Sequence, residues 1–99
     1  MTVTFAEFEN EALKLGFDEV VERSWQAHLE LGSHTHPFAV KAIVVRGEMW
    51  LTVDDQTRHL RPGDTFELAP GVPHSERYGG DGASYWVARR HGVHTAGKL

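Results

Sequence analysis

After Gly16 the sequence becomes a succession of short β-prone runs separated by Gly, Pro and Asp turns, which restricts the chain to an all-β sandwich or barrel. Glu19–Ala27 alternates and carries Val20, Val21 and Trp25. Leu29–Ser33 leads into a pair of histidines. Phe38–Arg46 is rich in Val and Ile and unbroken, as expected of a strand covered on both faces. Gly47 reads as a turn, after which Met49, Leu51 and Val53 alternate with Glu48, Trp50 and Thr52. Asp54-Asp55 reads as a hairpin turn into Gln56–Leu60, and Arg61-Pro62-Gly63-Asp64 as a tight turn into Thr65–Leu68. Pro70-Gly71 turns the chain into a strand at His74–Tyr78. Gly79–Gly82 reads as a loop, and Ala83–Arg90 as the last strand.

Before the β region, Phe5, Phe8, Ala12 and Leu15 recur at spacings of three and four, which predicts an amphipathic helix over residues 5–15. Thr4 and Glu7 stand where a capping box would place them, and Gly16 suits the helix end. The expected organisation is a helical segment at 1–17, one barrel at 18–90 and a tail at 91–99. Val40, Val44, Met49, Leu51, Phe66 and Leu68 are the expected core. Strand parity places Trp50, Ile43 and Val45 on the outer surface, which suggests an interface for a homodimer unless the helix covers it.

His34-Thr35-His36 carries the chemistry. On a strand, residues i and i+2 face the same way, so two imidazoles stand side by side. His74 on a neighbouring strand would complete a set of three nitrogen donors with positions left open for water or substrate. Glu76 and Tyr78 share the parity of His74 and should face the same interior. Glu76 could be a fourth ligand, an acid or base, or a surface residue paired with Arg77 or Arg58. Tyr78 could line the pocket or handle protons. His28, His59, His91 and His94 are assigned no role.

The other classes are weaker. A net charge of −4 over 99 residues, with the basic residues scattered, argues against nucleic acid and anionic membrane as partners. There is no cysteine, hence no thiolate nucleophile and no disulfide framework. No apolar run approaches the roughly 18–20 residues of a membrane span. Nothing at Met1–Glu7 reads as a signal peptide, so cytoplasm is the expected location.

Two stretches resemble the paired motifs of small single-domain cupins. Gly32-x-His34-x-His36-x3-Val40-x6-Gly47 is similar to the first. Gly63-Asp64-Thr65-Phe66-Glu67-Leu68-Ala69-Pro70-Gly71-Val72-Pro73-His74 is similar to the second. The resemblance implies a small β-barrel or jelly roll with a short N-terminal helix, and His34, His36 and His74 as ligands of one divalent metal. Iron, nickel, manganese, copper and zinc all suit imidazole. Many such proteins dimerise. The family's usual glutamate ligand falls on Val40, and a frequent asparagine falls on Tyr78. The remaining three-His set is similar to that of thiol and diketone-cleaving dioxygenases. The expectation is a metal-dependent enzyme acting on a small molecule, by dioxygenase-like or isomerase/lyase chemistry with Glu76 and Tyr78 moving protons. The alternative is a small-ligand or sugar-binding cupin module without turnover.

Overall fold

The computed structural model describes residues 3–91. The chain forms helix α1 (Phe5–Lys14) and then six strands: β1 (Glu19–Trp25), β2 (Glu30–His34), β3 (Ala39–Val53), β4 (Gln56–Leu60), β5 (Thr65–Leu68) and β6 (His74–Arg90). Every strand pairing is antiparallel.

Two long strands organise the barrel. β3 runs for 15 residues and β6 for 17, and they pair with each other along most of their length. The register divides each of them in two. The first part of β3 pairs with β5 and the second with β4. The first part of β6 pairs with β2 and the second with β1. Two four-stranded faces result, sharing β3 and β6. They close on a single core in which Val40, Ala42 and Val44 from one part of β3 meet Met49 and Leu51 from the other, together with Leu60, Phe66 and Leu68. Burying each large side chain of this set stabilises the fold by roughly 1.5–3 kcal/mol. The six residues expected in the core are all there.

The bend between the two parts differs from the sequence expectation. Gly47 does not reverse the chain, and Gly79–Gly82 does not leave the sheet; both lie inside continuous strands. The register shifts between Val44 and Arg46 and again between Gly47 and Met49. Gly47, at φ +73°, and Gly82, at φ +68°, have left-handed backbone and press together. Glycine here makes bulges that fold each strand over the core, a role that sequence punctuation does not distinguish from a turn. The Asp54-Asp55 hairpin forms as expected, with both residues at positive φ.

Helix α1 ends at Lys14, and its capping box is present: Glu7 N–H donates to Thr4 Oγ1 at 3.1 Å, and Thr4 N–H to Glu7 Oε1 at 2.9 Å. Such a cap is worth about 1 kcal/mol. Phe8 and Ala12 are buried against Ile43 and Ala88, with Val20, Val45 and Trp86 around them. The helix therefore covers Ile43 and Val45, and they form no common patch with Trp50. Trp50 stays outside, stacked on His59 and beneath the Arg77 guanidinium. Leu15, expected on the buried face, is 48% exposed. Among the described residues, no helix is long and apolar enough to cross a membrane.

Candidate metal centre

The register of β2 against β6 builds the centre. His34, the last residue of β2, lies directly opposite His74, the first of β6. A bulge between Leu31 and His34 sets that alignment. His36 falls two residues beyond the end of β2 rather than on it. Its carbonyl accepts a hydrogen bond from Gly71 N–H at 2.8 Å, which ties the segment to the Pro70-Gly71 turn. The three rings converge, with centroids 5.1 Å apart for His34 and His36, 4.3 Å for His34 and His74, and 5.0 Å for His36 and His74. One ligand atom from each lies within 4.8 Å of the others.

Backbone hydrogen bonds orient two of the rings. His34 Nδ1 lies 2.7 Å from the Gly32 carbonyl, and His74 Nδ1 lies 3.0 Å from the Val72 carbonyl. A carbonyl only accepts, so each Nδ1 carries a proton, and Nε2 is the nitrogen that would offer a lone pair to a metal. This is the arrangement by which an outer hydrogen bond fixes a metal-binding imidazole. His36 stacks on Phe38 at 4.9 Å. Burial lowers its pKa, and the neighbouring His74 and His34 lower it further, so the neutral, ligating form is favoured.

Glu76 is buried and faces the same space, as parity predicted; it is no surface partner of Arg77 or Arg58. Its Oε2 lies 3.4 Å from His34 Nε2 and 3.4 Å from His74 Nε2. With a cation among them, the two Nε2 atoms and the carboxylate oxygen all act as donors to it. The donor set therefore fits a divalent transition metal, with three imidazoles and an adjacent carboxylate. Tyr78 also points inward, but it sits behind Glu76, only 1% exposed, and donates its hydroxyl to Glu76 Oε1. Burial, with Tyr85 and the Glu76 carboxylate adding, holds the Tyr78 phenol far above its ordinary range. It stays protonated.

A cavity of about 490 Å³ opens onto the three histidines and Glu76. Leu31, Phe38, Val40, Phe66, Leu68 and Val87 make its walls mostly apolar. Trp86 faces away, against Phe5 and Phe8 of α1. Four residues with no assigned role also line the cavity: Arg23, Trp25, Tyr85 and Arg89. Trp25 Nε1 donates to the Tyr85 hydroxyl at 3.0 Å, and Tyr85 is in turn linked to Tyr78. Parity along β1 (Val21, Arg23, Trp25) and β6 (Tyr85, Val87, Arg89) was the available signal.

The sequence profile of the cupin domain matches residues 22–88. The chain is a cupin. Its backbone resembles that of the DMSP lyase DddQ from Ruegeria pomeroyi, with TM-score 0.64 and 27% identity over 75% of this cupin and 37% of the lyase. A structure of the DMSP lyases RdDddP and RnDddQII gives TM-score 0.67 and 25% identity, covering 72% of this cupin and 37% of that chain. This cupin thus spans little more than a third of those enzymes. An RmlC-like cupin from Shewanella frigidimarina gives TM-score 0.65 and 24% identity, covering 75% of this chain and 67% of the other. No curated protein matches the sequence.

Beside the cavity, His91 does not behave as loose tail. Its ring contacts Phe38, and its Nε2 lies 2.6 Å from Glu19 Oε2. This hydrogen bond is the main cause that lowers the Glu19 pKa below the usual 4.5; desolvation opposes it, and the Arg89 charge adds a lesser lowering. A depressed carboxylate pKa means that the tie is fully present above the ordinary value and is lost as pH falls through the lowered one. His91→Ala is expected to return the Glu19 pKa toward 4.5 in a carboxyl NMR titration. An unchanged value would assign the shift to Arg89. His94 lies outside the described residues.

Proposed function

We propose that this cupin is a metal-dependent enzyme that carries out proton-transfer chemistry of the lyase or isomerase type on a small molecule. The observation that carries the reading is the convergence of His34 Nε2 and His74 Nε2 on the Glu76 carboxylate at 3.4 Å, with His36 alongside, on the wall of a largely apolar cavity. A metal held by His34, His36 and His74 would supply Lewis acidity toward a substrate oxygen.

Glu76 is the proton-transfer group. Its Oε1 is engaged by Tyr78, and its Oε2 faces the histidine nitrogens and the cavity. Tyr78 acts through Glu76 as a positioning residue, because its hydroxyl is buried and does not line the cavity. The walls exclude water and hold an apolar substrate body. The likeness to two DMSP lyase structures, at 25% and 27% identity, supports the lyase class over oxygenolytic cleavage. A cytoplasmic homodimer acting on a free small molecule completes the proposal.

Elemental mass spectrometry on untagged protein, purified without chelators or added metal, is the first test. Near-stoichiometric transition metal supports the reading. Protein that takes up none, even after reconstitution, refutes it and leaves a ligand- or sugar-binding module. The metal-loaded protein should then be incubated with DMSP under nitrogen and in air. Equal consumption in both supports lyase chemistry, whereas consumption only in air assigns a dioxygenase.

A further inference from the structure

The inner row of β1 reads Val21, Arg23, Trp25, so an arginine on the cavity wall stands between two apolar residues of its strand. Arg23 stands in register with Tyr85, is half-buried, and holds its guanidinium 4.7 Å from the Trp25 ring centre. An inward arginine ordinarily has a carboxylate partner, because an unpaired charge at a partly desolvated site is costly. Among the described residues, no carboxylate forms an ion pair with Arg23. The cavity's own acids do not supply one: Glu76 is engaged by Tyr78, His34 and His74, and Glu30 stands in register with Arg77 at the rim.

The second arginine of the cavity is differently placed. Arg89 lies over Phe38 and is 3.6 Å from Glu19, so its charge is partly answered. Of the two cavity arginines, Arg23 is the one with no ion pair among the described residues.

We infer that the cavity takes a small carboxylate with an apolar body, and that Arg23 is the residue that recognises its anionic end. A guanidinium seated beside an indole by its cation–π contact still has N–H groups to offer the two oxygens of a carboxylate. The Phe38, Val40, Phe66 and Leu68 walls receive the rest of the molecule. The inference rests on the cavity being the substrate site, as proposed above.

Benzoate and benzamide are suitable probes, nearly equal in shape and different in charge. Each is titrated by calorimetry into the protein as purified, with the metal content of every sample measured. In the wild type, benzoate should bind more tightly than benzamide. Arg23→Gln should reduce that preference at least about tenfold, the scale of a lost charge-assisted pair. Arg23→Lys, which keeps the charge without the planar fork, should retain part of it. Equal binding of the two probes to the wild type, or an undiminished preference in Arg23→Gln, overturns the inference. The metal measurement separates the two readings. Metal present with no Arg23-dependent preference refutes the Arg23 inference alone; the preference in protein that takes up no metal even after reconstitution refutes the metal centre alone.

Discussion

Alanine at position 74 is expected to abolish stoichiometric metal binding while the barrel stays folded. His74 is 3% exposed, sits opposite His34, and is oriented by the Val72 carbonyl. Removing it takes away one of three nitrogen donors, and its effect on affinity should exceed the roughly 10–100-fold that removal of an outer hydrogen-bonding partner costs. His59→Ala is the control. His59 is exposed, stacks on Trp50 and bonds Glu48 at 2.7 Å, on the outer surface of the barrel. Its replacement should leave metal content unchanged. Elemental analysis of the wild type and both variants, with circular dichroism for folding, decides the matter. Full occupancy in the His74 variant would remove that residue from the ligand set. Glu76→Gln refines the picture: a loss within 10–100-fold marks Glu76 as an outer partner, and a larger loss marks it as a ligand.

The largest stability effect is expected at the bulges, not in the histidine cluster. A Cβ on Gly47 would stand 2.1 Å from the Gly82 carbonyl oxygen and 2.9 Å from Ala83 Cα. One on Gly82 would stand 2.2 Å from the Trp25 carbonyl oxygen. Both contacts are to backbone, so relief requires moving β3, β6 or β1. Both residues also have positive φ, which alone costs about 1–2 kcal/mol in an L-residue. Gly63→Ala isolates that cost, because Gly63 has φ +97° and open space around its Cβ. Thermal melts should show a fall of about 4–8 °C per kcal/mol for a domain of this size. Gly47→Ala and Gly82→Ala should each lose at least about 3 kcal/mol, a large share of a total of roughly 5–15 kcal/mol. Melting points within a few degrees of the Gly63 variant would show that the two long strands yield at the bend without cost.

Much of this molecule is legible in its residues because a strand's side-chain period is two. His34 and His74 meet because the ends of β2 and β6 pair, and His36 joins them just beyond β2, where its carbonyl is tied to Gly71 N–H. Glu76 and Tyr78 turn inward with His74 because i and i+2 share a face. The helix was readable from a period near 3.6 and its cap. Reading failed where one residue type serves two purposes. A glycine that reverses a chain and one that kinks a continuous strand look alike in sequence, and which occurs depends on what lies opposite. For Gly47 that neighbour is Gly82, thirty-five positions away.

The family was legible from the resemblance of two motifs, and the grouping of His34, His36 and His74 from the spacing of those motifs. That α1 packs over Ile43 and Val45 emerges from the three-dimensional packing. That packing alone separated Tyr78, sealed behind Glu76, from Tyr85, which reaches the cavity. It alone left Arg23 without a carboxylate among the described residues. Parity says which side of a strand a residue takes. How deep it lies, and which charge it meets, depends on strands distant in the chain, and those relations exist only once the two faces have closed.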